Sequence, residues 1–434
     1  MDNMSKIIPR TLKGFHDYLP VEQIVRQKII EIIKGVYERF GFLPLETPAL
    51  EYAETLFGKG GGENEKLSYH FKDQGGREIA LRYDLTVPLA RVIAQYRDIK
   101  KPFKRYQIGP VWRAEKPQKG RFREFYQCDA DIVGVQSVLA EAEIIALISE
   151  ILTALGVKKF LIKINNRKIL NGFLESIDLE KKSALILRLI DKREKIGGKN
   201  MIQGLRELDI ELKKTKEINQ FIKTPIDNFD DLEKLKNKYP QITTGANELK
   251  ELMESVSILI SDKNICQIDL SLARGFDYYT GPVFEVCLAD SIESIAGGGR
   301  FDQLISSFGA QNIPAVGIGF GLDRLFNALK GLRLVQEQKS TAKIMVAFLE
   351  KNLLNDYLKI TREMRAQGLN TFFYFENIKL GKQLKFAADQ GIKYVLIYGS
   401  REKEKDEIII RNIFESKQKN IKIEKLKDYL IKIN

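Results

Sequence analysis

The sequence predicts an α+β chain: an antiparallel sheet flanked by helices, a helical insertion inside that domain, and a C-terminal α/β domain. Three observations carry the prediction. Strand-like runs crowd together around REIALRYD, RYQIGPVWRAE and REFYQCDADIV, as antiparallel neighbours do. From about 167 to 262 the composition shifts to Leu, Ile, Lys and Glu with almost no aromatic residues. Beyond about 332, apolar strands alternate with helical stretches. The expected domains are therefore 1–332, interrupted at about 167–262, and 333–434.

Taken in order, isoleucines, valines and aromatics recur at helical spacing over 21–40, and the helix stops at Gly41, where GFLPLETPALE begins an extended stretch. A short helix lies between REIALRYD and RYQIGPVWRAE, with Thr86 placed to cap it and Pro88 in its first turn. Helical periodicity resumes over 135–156. After the insertion, ICQIDLSLARGFDYYTGPVFEV reads as a hairpin whose loop holds RGFDYYTG, followed by strands at SIAGGGRFD and AVGIGFGLDRL. In the last quarter KIMVAFL, TFFYF, YVLIY and EIIIR are strands, 351–367 and 379–390 are helical, and IEKLKDYLIKI is a final amphipathic helix.

Bulk properties narrow the function. With 434 residues and a net charge of +12, the chain suits a polyanionic partner, nucleic acid before an anionic membrane. Residues 335–434 hold 20 basic and 13 acidic side chains, which points to where a polyanion docks. Three cysteines and two histidines, without paired spacing, give no disulfide framework, no zinc site and no Ser/His chemistry. The segment MDNMSKIIPR lacks the apolar stretch of a signal peptide, and no run of about 18 apolar residues occurs, so the expectation is cytoplasmic with no membrane partner.

The chemistry concentrates in a few stretches. In REFYQCDADIV, read as a strand, Phe125, Gln127, Asp129 and Asp131 share one face while Tyr126, Cys128, Ala130 and Ile132 share the other. The first face is too polar for a core. Arg113 and Glu115 belong, by the same parity, to one face of the preceding strand, and a basic loop, EKPQKGR, joins the two. Gly317, Gly319 and Gly321 of AVGIGFG leave a trough suited to a flat ring, with Arg324 just beyond it in reach of a phosphate. RGFDYYTG gathers Arg274, Tyr278 and Tyr279, and LRYDLTVP brings Asp84 and Thr86 to a strand end. GKGGGENEK is placed to close over a ligand. Singly, each has a plain structural reading: solvated loop, helix cap, packed tyrosine, flexible turn.

Together these segments resemble the histidyl-tRNA synthetase family of class II aminoacyl-tRNA synthetases. GFLPLETPALE with Pro48 resembles motif 1 of the class, RYQIGPVWRAEKPQKGRFREFYQCD motif 2, and VGIGFGLDRLF motif 3. LRYDLTVPLAR and LARGFDYYTG resemble the segments particular to the histidine enzyme, and the likeness extends over nearly the whole chain.

The resemblance implies a class II catalytic domain, a C-terminal anticodon-binding domain and a histidine-tRNA ligase activity. It implies catalytic Arg113 and Arg274, and histidine binding by Asp84, Thr86, Arg113, Gln127, Asp131, Arg274, Tyr278 and Tyr279. Glu115 takes the adenine amino group, Phe125 the adenine face and Arg324 the γ-phosphate, with Arg113 on the α-phosphate. Lys119, Arg121 and Arg123 face the acceptor stem of tRNA. L-histidine, ATP and the tRNA for histidine are the expected partners, magnesium travels with the ATP, no protein-bound zinc is expected, and a homodimer follows by analogy with motif 1 of the class. Two positions depart from the family's usual GGRYDGL: Phe301 and Gln303 stand for Tyr and Gly. The alternative is a non-catalytic, histidine-binding relative, the regulatory subunit of ATP phosphoribosyltransferase, which lacks the anticodon domain.

Overall fold

The structure, a computed structural model, describes residues 7–58, 65, 68–116, 122–274, 278–288, 294–426 and 429. It divides into two compact units, residues 1–17 with 29–334 and residues 18–28 with 335–434.

The helix Pro20–Arg39 opens the fold. After it come β1 (Leu43–Pro44), β2 (Leu50–Tyr52), β3 (His70–Lys72), β4 (Glu78–Leu81), β5 (Phe103–Trp112), β6 (Glu124–Val133), β7 (Phe160–Asn166), β8 (Cys266–Ile268), β9 (Pro282–Leu288), β10 (Ser294–Arg300) and β11 (Ala315–Gly321). Strands β2, β4 and β3 make a small antiparallel sheet. The other eight form one sheet in the order β1-β5-β6-β11-β10-β9-β7-β8, antiparallel except at its ends, where β1 runs parallel to β5 and β8 parallel to β7.

β6 lies in the middle, and its two faces differ as the alternation requires. Cys128, Ala130 and Ile132 are buried, with the Tyr37 hydroxyl donating to the Cys128 carbonyl at 2.8 Å. The helix Leu139–Ala154 packs on β6 and β11 and buries Ile144, Ile145, Leu147 and Ile148. That face is the hydrophobic core, and burying each such side chain contributes about 1.5–3 kcal/mol.

The stretch read as a hairpin is not one. β8 and β9 never pair; β7 lies between them, parallel to β8 and antiparallel to β9. Alternating apolar residues mark both as strands but say nothing of partner choice, and the strand that separates them lies a hundred residues upstream, before the insertion. The insertion is the crossover that the parallel pair β7–β8 needs, built of helices from Arg167–Ser176 to Thr243–Leu259. Three of its few aromatics, Phe173, Phe221 and Tyr239, form one cluster, the two phenylalanine rings stacked 3.8 Å apart.

In the second unit, β12 (Ile344–Val346), β13 (Thr371–Phe373) and β14 (Tyr394–Ile397) are parallel, with the order β13-β12-β14-β15-β16 completed by the antiparallel pair β15 (Glu407–Asn412) and β16 (Lys417–Lys422). Ile344 and Val346 enter one core with Tyr357 and Met364, while Met345 and Ala347 enter another with Ala387 and Ile392. Both sheet faces are covered, as crossover helices Leu354–Ala366 and Leu380–Asp389 demand. KQKNIK forms the edge strand β16, which the sequence pattern does not mark because only Ile421 in it is apolar and buried. The final amphipathic helix is described only at its start, with Ile423–Lys425 a 3₁₀ turn; residues 427–428 and 430–434 lie outside the described residues.

Candidate active site

The polar face of β6 becomes a site because its neighbours are in register with it. Arg105 pairs with Asp131 and Gln107 with Asp129 on β5, while Gly317 and Gly319 of β11 pair with the same two aspartates. Gly299 and Gly297 of β10 continue the rows, and Glu285 of β9 stands opposite Gly297. Directly paired residues point to the same side, so two rows of mixed charge and glycine cross the sheet.

The glycine trough is already occupied by protein. A Cβ at Gly317 would sit 1.9 Å from Asp131 Oδ1, and one at Gly319 would sit 2.6 Å from Asp129 Oδ1 and 3.0 Å from Gln127 Nε2. A Cβ at Gly297 would lie 1.7 Å from an amino nitrogen of Arg274. The expectation of an open trough for a flat ring is thus corrected at Gly317 and Gly319: those glycines make room for two carboxylates and an amide to lie across the sheet. Strand parity shows the row of glycines but not which neighbouring side chain fills it.

Asp131 forms a buried ion pair with Arg105, N to O 2.7 Å, and neither side chain is more than 3% exposed. Burial nevertheless raises the Asp131 carboxyl to about 6, against the pull of Arg105 and with a further push from Asp84. Contact and shift agree once burial is recognised as the larger effect: the carboxylate is paired yet still costly to ionise. Burial also raises Asp84, and it raises Asp129 strongly, with Asp131 as the next cause.

The folded chain keeps the Asp131 proton to about pH 6, whereas an ordinary aspartate releases it near 3.8. Across that window the native state binds more protons than the unfolded one, so stability falls as pH rises. We expect the thermal midpoint to decline from about pH 4 to about pH 6 and Asp131→Asn to flatten that decline; equal slopes in calorimetric scans would contradict the assignment.

Asp84 takes over the role expected of Thr86. Its Oδ1 accepts from the Val87 amide at 3.0 Å at the head of the helix Thr86–Gln95, so Thr86 is the first helical residue and only half-buried. Asp84 Oδ2 is buried with no hydrogen-bond partner among the described residues, as are Gln127 Oε1 and two nitrogens of Arg105. Gln127 donates from Nε2 to Asp129 Oδ1 at 3.1 Å. Asp129 therefore holds the Gln127 amide, which joins Asp129 to the same polar cluster.

β5 ends at Trp112, so Arg113 and Glu115 lie past the strand rather than on it. The pairing runs one step further, with the Arg113 amide donating to the Arg123 carbonyl at 2.8 Å. Arg113 Nε donates to the Tyr83 carbonyl at 3.1 Å, and its guanidinium stands 5.0 Å from the centre of the Phe125 ring. Glu115 is exposed, and its carbonyl accepts from Arg123 Nε at 3.1 Å; Arg123 also donates to Lys13. Lys119, Arg121 and most of GKGGGENEK lie outside the described residues. Arg324 donates to the Ser294 carbonyl at 3.0 Å.

Arg274 has φ of 50°, the left-handed region, which costs a residue with a Cβ about 1–3 kcal/mol. Its guanidinium meets Glu285 at 3.2 Å over Gly297. Burial works against its charge, but Tyr279, Glu285, Asp191 and Tyr278 outweigh it and hold the proton more firmly. Tyr278 and Tyr279 stack edge to face at 4.9 Å, and Tyr278 also meets the ring of Phe301 at 6.0 Å. Phe301 is buried among Leu89, Ile93, Val133 and Ile305. Phenylalanine thus fits its surroundings, and Gln303 is exposed.

A family profile described as histidyl-tRNA synthetase matches residues 14–325, and one described as anticodon binding domain matches 343–433. The chain belongs to the histidyl-tRNA synthetase family. It is 40% identical to the histidine–tRNA ligase of Rhodopirellula baltica and 39% identical to that of Clostridium tetani, over 94% and 96% of both chains respectively. A crystal structure of histidyl-tRNA synthetase from Nostoc sp. PCC 7120 superposes with a TM-score of 0.87 at 34% identity, covering 98% of this chain and all of that one. A Bacillus halodurans structure titled ATP phosphoribosyltransferase regulatory subunit/histidyl-tRNA synthetase shares the fold, at 21% identity and a TM-score of 0.75.

As an aminoacyl-tRNA synthetase, the chain is an enzyme, and the regulatory reading is disfavoured by relatives matched through both domains. Sequence reasoning missed three members of this polar cluster: Arg105, Glu285 and Gly297. Arg105 was legible by parity, because it shares a β5 face with Gln107 and Gly109. Among the described residues no group of three or more His, Cys, Asp or Glu is arranged to hold a metal, and no helix is long and apolar enough to cross a membrane.

Proposed function

We propose that this face of the sheet activates L-histidine with ATP, forming histidyl adenylate and pyrophosphate, and then transfers histidine to the 3′ end of its tRNA. The observation that carries the proposal is the pair of buried acceptors with no hydrogen-bond partner among the described residues, Asp84 Oδ2 and Gln127 Oε1, on the side of the sheet that holds Arg113 and Arg274. Buried polar atoms are ordinarily paired. An imidazole and an ammonium supply the N–H donors that such acceptors require.

Histidine sits with Asp84, Thr86, Gln127 and Asp131 around its polar groups and Tyr278 and Tyr279 along its ring. Side chains without two ring nitrogens leave these acceptors buried and unpaired, which is the basis of selection. ATP lies with adenine on Phe125, its amino group at Glu115, and its γ-phosphate at Arg324. Magnesium arrives and leaves with the phosphates as part of the nucleotide substrate and product. A carboxylate oxygen of histidine attacks the α-phosphorus in line, and the bond to the bridging oxygen of pyrophosphate breaks. Arg113 and Arg274 offset the repulsion of the two anions and the charge that grows on the phosphoryl oxygens. Orientation supplies much of the rest, with no covalent enzyme intermediate. The terminal ribose hydroxyl of tRNA then attacks the activated carbonyl and AMP departs. Lys119, Arg121 and Arg123 guide the acceptor end, and the basic second unit takes the anticodon side. The enzyme works as a cytoplasmic homodimer.

Gln127→Ala tests the pocket. Loss of one bond to a buried polar partner costs about 1–3 kcal/mol, so the KM for histidine in pyrophosphate exchange should rise about 10- to 100-fold while the KM for ATP stays near the parent value. An equal rise in both would remove Gln127 from the histidine site.

A further inference from the structure

The segment that carries Arg274 is gripped at both ends by the end of β7. Asn165, fully buried, donates from Nδ2 to the Leu270 and Leu272 carbonyls at 3.2 and 3.0 Å. Arg167 donates from one amino nitrogen to the carbonyls of Ala273, at 2.7 Å, and Arg274, at 3.3 Å. The Arg167 backbone amide donates to the Gly281 carbonyl at 2.9 Å, on the far side of the same segment. One buried residue thus spans the loop from entrance to exit, and it touches the carbonyl of the residue whose backbone is forced to positive φ.

We infer that Arg167 is a positioning residue for adenylate formation: it holds the Arg274 backbone in its left-handed conformation and so aims the Arg274 guanidinium across Gly297. The inference rests on the proposed role of Arg274 in activation. A strained backbone persists only where its surroundings over-determine it, and the two side-chain bonds from Arg167, with those from Asn165, are that determination. Without them the loop relaxes and the guanidinium swings from its place beside Glu285.

The same residue joins the site to the insertion. Arg167 is the first residue of the insertion's first helix, which Asn166 caps by accepting from the Lys168 amide at 3.0 Å. From the insertion helix Ser183–Ile196, the Asp191 carboxyl is raised by burial and drawn back by Arg274, Lys195 and Arg167, while Glu194 meets Lys163 at 3.4 Å. Through Arg167 the first helix of the insertion reaches the Arg274 carbonyl.

A double-mutant cycle on the full-length protein tests this, with histidine-dependent pyrophosphate exchange expressed per site by active-site titration. Arg167→Met should lower the exchange rate constant on the order of 10²-fold, the effect of misplacing a reacting group by about 1 Å, and change the histidine Kd by less than about threefold. Placed on Arg274→Ala, it should cost no more than about twofold, because the group it aims is gone. Losses that multiply across the cycle would overturn the inference, as would a fall in titratable sites with an unchanged rate per site. If Arg274→Ala alone leaves exchange intact, the failure lies instead in the role given to Arg274. Should Arg167→Met not fold, Arg167→Lys, which keeps the charge but not the planar donor pair, is read by the same criteria.

Discussion

Arg274→Ala should lower the rate constant for histidine-dependent pyrophosphate exchange by about 10²–10³-fold, the usual cost of losing one donor aimed at developing charge, while histidine still binds. Arg274 is held over Gly297 beside Glu285, with its backbone in a conformation that its own side chain disfavours. Its charge is kept by Tyr279, Glu285, Asp191 and Tyr278 against the penalty of burial. Under the proposed role this cation meets charge that develops only in the transition state, so turnover is expected to fall more than affinity. Equal losses in exchange and in histidine Kd would show that Arg274 only binds substrate.

Two neighbouring glycines should separate function from stability. In Gly297→Ala the new methyl meets the Arg274 guanidinium, at 1.7 Å from one nitrogen and 2.1 Å from the central carbon. A side chain can swing away, so the fold survives and exchange falls about as far as in Arg274→Ala. In Gly298→Ala the methyl meets the Gly317 carbonyl of β11 at 1.9 Å, and a backbone inside a sheet has nowhere to go. That variant should lose about 1–3 kcal/mol or more, the range for overpacking a core, visible as a lower thermal midpoint. Full activity in Gly297→Ala, or an unchanged midpoint in Gly298→Ala, would contradict the packing described.

The alternation of REFYQCDADIV made the two faces of β6 readable, since a period of two needs no knowledge of partners. Partner choice was another matter. β7 separates β8 from β9 because strand pairing is decided by the whole sheet, and the apparent hairpin around RGFDYYTG had no local feature to forbid it. The same limit hid the glycine trough: Gly317 and Gly319 were visible, but that Asp131 and Asp129 fill it depends on register. Asp84 displaced Thr86 as the cap because either side chain satisfies a free amide, and local sequence does not choose between them. Arg105 was missed although its parity was plain, since a buried arginine draws notice only once its aspartate partner lies opposite. The polar strand β16 left no apolar pattern to read.

The central claim, that this sheet face makes histidyl adenylate and passes it to tRNA, is tested most directly by measuring pyrophosphate exchange and charging on the same preparation. The account predicts exchange that requires both ATP and L-histidine, followed by attachment of histidine to purified tRNA. Exchange without charging, or no histidine-dependent exchange from a folded protein, would contradict it.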